Sequence, residues 1–333
     1  MTGIGSSVLG LSFEPEFEAV IREGLDAVES RLRAEVKSSD VFVNEAAAHL
    51  LVAGGKRFRP LVTLLASQFG DPAAPGVVPA AVVVELTHLA TLYHDDVMDE
   101  ASLRRGADSA NSRWGNTIAI LTGDFLFARA SDLLADLGPE AVRLQARTFE
   151  RLVHGQIHET IGPAETDDPV EHYLAVLADK TASLLGTSAR FGAMLAGATD
   201  AVTELLTQWG ERFGIAFQLS DDLIDIASES DESGKTPGKD LREDVPTLPV
   251  LLLRRANRPE DAALLAALAG DLSSDAALAA VLAELRAHPV MHEAREVTSK
   301  WAADARSTLE PLPDSAAKAA LESLCNFVAA RTA

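Results

Sequence analysis

The chain carries a single cysteine, Cys325. A lone thiol closes no internal disulfide and builds no thiolate metal cage, so packing must hold the fold and a cytosolic, reducing compartment is expected. Positive charge is scarce as well: 29 Lys and Arg stand against 50 Asp and Glu, a formal net charge of −21. An acidic field repels phosphate backbones and anionic lipid headgroups, which argues against a nucleic-acid partner and against a charged membrane surface. Residues Met1 to Glu16 offer no basic segment of the kind that opens a signal peptide. No membrane span is expected either, because the most apolar stretch, Val77 to Tyr93, is interrupted by Glu85 and His88 and is short for a bilayer. Alternating strand patterns and Asn-Gly hairpins are also scarce.

What remains is helix. Apolar residues recur at helical spacing over about 15–37, 40–53, 60–69, 77–98, 114–136, 139–160, 169–197, 201–228, 247–256, 259–270, 274–287, 290–309 and 314–331, which predicts an all-α fold. Breaks fall where Gly and Pro gather, at Gly70 to Gly76, Gly162 to Pro169, Gly234 to Pro249 and Pro311 to Pro313. None is long enough to be an interdomain linker, so residues 1–333 are expected to form one domain.

Two of these helical runs end in the same acidic pattern, Asp95-Asp96-Val97-Met98-Asp99 and Asp221-Asp222-Leu223-Ile224-Asp225. Residues four apart share a helix face, so Asp95 and Asp99 lie together with Asp96 about 100° round. Like charges at that spacing destabilise a helix by roughly 0.2–0.5 kcal/mol, and a helix C-terminus is the wrong end for them. A cation must compensate. Carboxylates on rigid helices bind Mg²⁺ through one or two oxygens each and leave its other positions to water and phosphate. A single such motif is as readily a solvated helix end; two copies after apolar runs point to a metal and polyphosphate site.

The few lysines are placed to match. They are Lys37, Lys56, Lys180, Lys235, Lys239, Lys300 and Lys318. Gly54-Gly55-Lys56-Arg57-Phe58-Arg59-Pro60 puts three cations in a glycine-opened turn ahead of a helix, where backbone N–H groups also attract anions. Arg104-Arg105-Gly106 follows the first acidic motif, Lys180-Thr181 interrupts a helix, and Lys235 and Lys239 follow the second acidic motif. Each alone reads as surface charge, but the ordered set does not.

From Gly54 to Pro249 the chain resembles the trans-isoprenyl diphosphate synthases, the head-to-tail polyprenyl synthetases. Six motifs occur in that family's order: Gly-Gly-Lys-x-x-Arg-Pro from Gly54, the first Asp-rich motif with its Arg-Arg-Gly, Trp114-Gly115 to Gly123-Asp124, Lys180-Thr181, Phe217-Gln218 leading into the second Asp-rich motif, and Gly234-Lys235 running to Thr247-Leu248-Pro249. The resemblance implies long antiparallel helices around a deep central cavity, a homodimer, and a Mg²⁺-dependent prenyl transfer between isopentenyl diphosphate and an allylic diphosphate. It also implies roles. Asp95 and Asp99 would bind two Mg²⁺ ions and Asp221 a third, supported by Asp96, Asp222 and Asp225. Arg104, Lys180 and Lys235 would hold the allylic diphosphate, and Lys56, Arg59, His88 and Arg105 the isopentenyl diphosphate. Thr181 and Gln218 would steady the developing allylic cation, and Gln156 would contact metal-bound water. His94 is read as a packing residue.

The sequence departs from the family twice. After Asp240-Leu241-Arg242-Glu243 comes Asp244-Val245 where a further lysine is usual, and Lys239 is expected to substitute for it. The C-terminal Ala329-Ala330-Arg331-Thr332-Ala333 lacks the basic cluster of some short-chain members, which speaks against a C-terminal role.

Product length is argued from the helix that ends in Asp95. Thr91, Ala90 and Thr87 lie on or near its metal-bearing face and none is bulky, whereas short-chain relatives place an aromatic four or five residues before the motif. Tyr93 is about 200° round and points elsewhere. The floor is therefore sought deeper, at Phe125, Phe127 and Leu133, and a product longer than fifteen carbons is expected; that it is a chain of about C30–C50 is what the family resemblance implies. The alternatives are a geranylgeranyl diphosphate synthase, a terpene cyclase, a helical Mg²⁺-dependent hydrolase, or a non-catalytic subunit of a heteromeric synthase. A cyclase has no use for Lys56, Arg59 and His88, a hydrolase has no role for the ordered cationic set, and such a subunit would lack an acidic motif.

Overall fold

The computed structural model describes residues 14–228 and 237–331. In chain order the helices are α1 (Pro15–Glu35), α2 (Val41–Val52), α3 (Phe58–Ser67), α4 (Val77–Met98), α5 (Ala110–Trp114), α6 (Asn116–Leu137), α7 (Pro139–Ile161), α8 (Pro169–Leu177), α9 (Ser183–Leu195), α10 (Asp200–Ala227), α11 (Lys239–Arg242), α12 (Leu248–Ala256), α13 (Ala262–Leu268), α14 (Asp275–Ala287), α15 (Val290–Ser307) and α16 (Ala316–Ala330). A π-helical turn, Ala178–Ala182, joins α8 to α9. Among the described residues the one sheet is a two-stranded hairpin, β1 (Leu103–Arg104) against β2 (Ala107–Asp108). The fold is all-α, as expected.

The chain divides into two compact units. The first gathers Met1–Phe149, Leu184–Gly210 and Pro311–Leu321, and the second Glu150–Ser183, Glu211–Glu310 and Glu322–Ala333. In the first unit α4 is the core helix: Val82, Val83, Val84, Leu86, Leu89 and Ala90 are fully buried. Close helix approach there depends on missing side chains. A Cβ on Gly123 of α6 would lie 2.4 Å from the His94 ring of α4, and one on Gly192 of α9 would lie 2.1 Å from the Thr63 carbonyl of α3. By length and composition α4 could cross a membrane, but 67% of its apolar window is buried within the protein, which makes it a core helix.

In the second unit the core is built by Leu219, Leu223 and Ile226 of α10 with the apolar faces of α12, α14 and α15, including Leu251, Leu252, Leu285 and Met291. Asp168 starts α8 by accepting from Val170 N and Glu171 N at 2.8 and 3.1 Å, with Pro169 in the first turn. Asn257, at φ 43°, ends α12 in the left-handed region.

Three elements differ from the sequence expectation. The predicted 169–197 helix carries a π turn at Ala178–Ala182, which places one extra residue between α8 and α9 where Lys180-Thr181 interrupts the run. The predicted 114–136 helix breaks at Gly115, whose φ of +85° no other residue adopts readily. The loop expected to carry Arg104 and Arg105 is the β1–β2 hairpin, too short for a strand pattern to show.

Candidate active site

In the first unit the glycine turn presses guanidinium groups together. Gly54 and Gly55 adopt φ +99° and +153°, and a Cβ on Gly55 would lie 2.7 Å from Arg57 Nη1 and 2.8 Å from Arg105 Nη1. Arg57 donates to Glu29 at 2.8 Å, to the buried Glu85 at 3.1 Å and to the Leu51 carbonyl at 3.1 Å. Burial works against its charge, yet the two carboxylates raise its pKa overall. Arg105 donates to the carbonyls of Leu50, at 3.0 Å, and Gly54. Sequence reasoning passed over Arg57 and Glu85, although Arg57 stands inside the quoted motif. Their pairing organises the turn.

Two expected isopentenyl diphosphate ligands lie beside this pair. Burial pushes Arg59 down to about 10, with Glu85 opposing and Arg105 adding to the fall, and its Nε is buried with no hydrogen-bond partner. His88 is held well below its usual value by burial and then by Arg59, Arg105, Arg104 and Arg57, so its ring is neutral. Lys56 is exposed at the mouth of the turn. The group is a desolvated cationic cluster with a buried donor lacking an acceptor, which suits an anion.

The first acidic motif closes α4 next to it. Arg104 of β1 donates from Nε to Asp96 Oδ1 at 2.5 Å and stands 3.8 Å from Asp99. Asp96 is fully buried, and burial raises its pKa against the pull of Arg104. Asp96 Oδ2 and Arg104 Nη2 are both buried without a hydrogen-bond partner. Asp95 is half-buried, and its carbonyl accepts from Asp99 N at 2.8 Å. Upstream, Ala90 and Thr87 are fully buried and Thr91 half-buried. Tyr93 donates to the Ala46 carbonyl at 2.5 Å and accepts from Leu50 N at 3.2 Å, so it faces α2. His94 packs on Gly123 and, at 5.7 Å between rings, on Phe127. Phe127 also meets Phe149 at 4.6 Å, Leu133 is buried and Phe125 half-buried.

The second unit holds the other group. The π turn presents Lys180 and Thr181, and Arg151 anchors it by donating to Asp179 at 2.8 Å, Glu211 at 2.5 Å and the Ala178 carbonyl at 3.2 Å. Gly155 of α7 lies against it, since a Cβ there would be 2.6 Å from Lys180 N. Lys180 Nζ pairs with Glu159, a partner the sequence did not suggest. Thr181 Oγ1 donates to Gln218 Oε1 at 3.4 Å, and Gln218 Nε2 donates to Asp222 Oδ1 at 2.9 Å. Asp222 also accepts from the Tyr173 hydroxyl. Burial pushes Asp222 up to about 7, with Tyr173 opposing. Asp225 Oδ2 accepts from Asp240 N at 3.2 Å, and burial followed by Asp225 lifts Asp240 to about 6.

Three further placements bear on the sequence reading. Asp221 pairs with Arg331 at 2.8 Å, so the C-terminal segment, whose role the sequence put in doubt, reaches the second acidic motif. Lys239 opens α11, exposed, 3.5 Å from Glu243. Gln156 is half-buried on α7, and Lys235 lies outside the described residues.

Among the described residues no three His, Cys, Asp or Glu side chains converge to hold a metal unaided. The donor set nevertheless fits a hard divalent cation: both motifs offer only carboxylate oxygens, and a cation that keeps water and phosphate ligands needs just one or two of them.

The family model for polyprenyl synthetases matches residues 40–285. The chain is 50% identical over 316 residues to a nonaprenyl diphosphate synthase of Mycobacterium tuberculosis, covering 95% of this chain and 94% of that one. It is similar to the crystal structure of a Corynebacterium glutamicum geranylgeranyl pyrophosphate synthase complexed with calcium and isoprenyl diphosphate, with a TM-score of 0.87, 44% identity and coverage of 97% and 99%. A Rhodobacter capsulatus decaprenyl diphosphate synthase matches with a TM-score of 0.86, 32% identity and coverage of 96% and 99%. Motif order, fold and these likenesses agree, and the chain belongs to the polyprenyl synthetase family.

Proposed function

We propose that this polyprenyl synthetase joins isopentenyl diphosphate head-to-tail to an allylic diphosphate and extends it to a long all-trans product of about C30–C50, the depth of the pocket setting the length. The observation that carries the length is the bare face of α4 before Asp95. Thr91, Ala90 and Thr87 put nothing bulky in the way of a growing tail, and Tyr93 is fastened to α2. The likeness to a nonaprenyl synthase supports it. A geranylgeranyl product is the second reading, favoured by the similarity to a geranylgeranyl pyrophosphate synthase.

In this reading Arg59, Arg105, Lys56 and neutral His88 bind the isopentenyl diphosphate, the buried Arg59 Nε gaining the acceptor it lacks. Lys180, Arg104, Lys239 and Lys235 hold the allylic diphosphate. Mg²⁺, about three ions held by Asp95, Asp99 and Asp221, would supply charge neutralisation of the departing diphosphate. Asp96 orients Arg104, and Asp222, gripped by Tyr173, orients Gln218. The Thr181 and Gln218 oxygens, already linked by a hydrogen bond, face the positive charge that develops on the allylic carbon, a preorganised dipole pair that need not rearrange during reaction. The reading takes both units as one catalytic domain, active in the cytosol as a homodimer. Exposed Ile120 and Leu121 on α6 with Val142 and Phe149 on α7 offer an apolar face for the second copy.

The test is to incubate the purified chain with Mg²⁺, farnesyl or geranylgeranyl diphosphate and labelled isopentenyl diphosphate. Longer diphosphates, absent when the metal is chelated, are expected. A ladder stopping at twenty carbons selects the second reading, and no elongation rejects both.

A further inference from the structure

Two buried polar contacts tie α7 to its neighbours within the first unit. Gln145 Nε2 of α7 donates to Thr87 Oγ1 of α4 at 2.8 Å, and Thr148, one turn further along α7, shares a hydrogen bond of 2.6 Å with Thr187 of α9. All four residues are buried: Gln145 is 8% exposed, Thr87 0%, Thr148 3% and Thr187 5%. The Thr87 hydroxyl proton is committed to the Val83 carbonyl at 2.8 Å, so its oxygen must accept, which fixes the amide with its NH₂ toward α4. Gln145 Oε1 is then left buried with no hydrogen-bond partner. A half-satisfied amide in a buried position calls for an explanation.

Its position suggests what it does. Thr87 is eight residues before Asp95, about 12 Å along α4 at the helical rise, and beyond Thr91 and Ala90 on the same side of the helix. On the proposed function, on which this inference rests, a tail growing away from Asp95 runs down that side. We infer that Gln145, pinned by Thr87, is the floor at which elongation stops. An apolar tail can pass only if the amide swings aside, and that breaks its hydrogen bond while both partners stay buried. The Thr148–Thr187 contact ties the same stretch of α7 to α9 and keeps the helix from yielding.

The test compares product ladders from wild type, Gln145→Ala, Thr87→Ala and Gln145→Met under one set of conditions, with folding followed by circular dichroism. Gln145→Ala opens space, and the main product should lengthen by at least one isoprene unit at similar total incorporation. Thr87→Ala and Gln145→Met release or replace the amide, and each should spread the ladder upward. A purely structural hydrogen bond would lower the melting temperature and leave the ladder alone. An unchanged ladder in Gln145→Ala overturns the inference; should that variant not fold, an unchanged ladder in Gln145→Met does so. A wild type that elongates nothing overturns the proposed function itself, which separates the two failures.

Discussion

Arg331, two residues from the C-terminus, stands 2.8 Å from Asp221 of the second acidic motif, donates to Ser220 Oγ at 2.6 Å and the Phe217 carbonyl at 3.0 Å, and lies over the Phe217 ring at 4.6 Å. A guanidinium here takes the carboxylate that the proposed function gives to a metal ion. Arg331→Ala should therefore lower the Mg²⁺ concentration for half-maximal turnover. It should also cost about 1–2 kcal/mol of stability, from a cation–π contact and a partly exposed ion pair. Metal titration and thermal melts check the two effects, and an unchanged Mg²⁺ dependence would show that Arg331 does not compete for Asp221.

Ala90 is fully buried, five residues before Asp95. Ala90→Phe should shorten the product on thin-layer analysis, at a packing cost of about 1–3 kcal/mol. The same ladder as wild type would remove the bare face of α4 as the carrier of product length.

Lys239 is exposed and only loosely paired with Glu243 at 3.5 Å, so its ammonium can turn to a substrate. Lys239→Ala should raise KM for the allylic diphosphate several-fold and leave that for isopentenyl diphosphate unchanged. If the allylic KM stays put, Lys239 does not stand in for the lysine absent at Val245.

Tyr173 donates to a buried Asp222 whose other oxygen accepts from Gln218. Tyr173→Phe takes away one donor, at about 1–3 kcal/mol, and loosens the aim of Gln218. kcat should fall more than KM rises. An equal loss in both would place Tyr173 in substrate binding instead.

His88 is neutral when folded and ordinary when unfolded, so below its usual value of 6.5 the unfolded chain binds a proton that the folded chain refuses. Acid should thus erode stability through this residue, and the loss should ease as pH rises through 6.5. His88→Gln should flatten that acid limb. Nitrogen-15 shifts of the His88 ring should show no titration near 6.5 in the folded protein, and a midpoint there would contradict the placement of four arginines around it.

The sequence disclosed most where chemistry demands neighbouring residues. Asp95 with Asp99 and Lys56 with Arg59 lie in short runs whose charge pattern is costly without a ligand, and helical spacing found α4 and α3 beside them, whereas Thr181 and Gln218 were singled out by the family resemblance alone. Less was legible where a pairing joins distant positions. Arg57 to Glu85, Gln145 to Thr87 and Arg331 to Asp221 leave no periodic trace, because each depends on which helix faces lie together. For the same reason a count of basic residues in the C-terminal segment could not show that one arginine reaches Asp221.

The π turn is held from two sides, by Arg151 on Asp179 and by the bare backbone of Gly155 against Lys180. Because one inserted residue rotates everything before it by about 100° relative to everything after, Ala178–Ala182 sets where Lys180 aims independently of how α8 and α9 pack. Two chains could therefore share every helix of this fold and still differ in chemistry, through the length of this one turn.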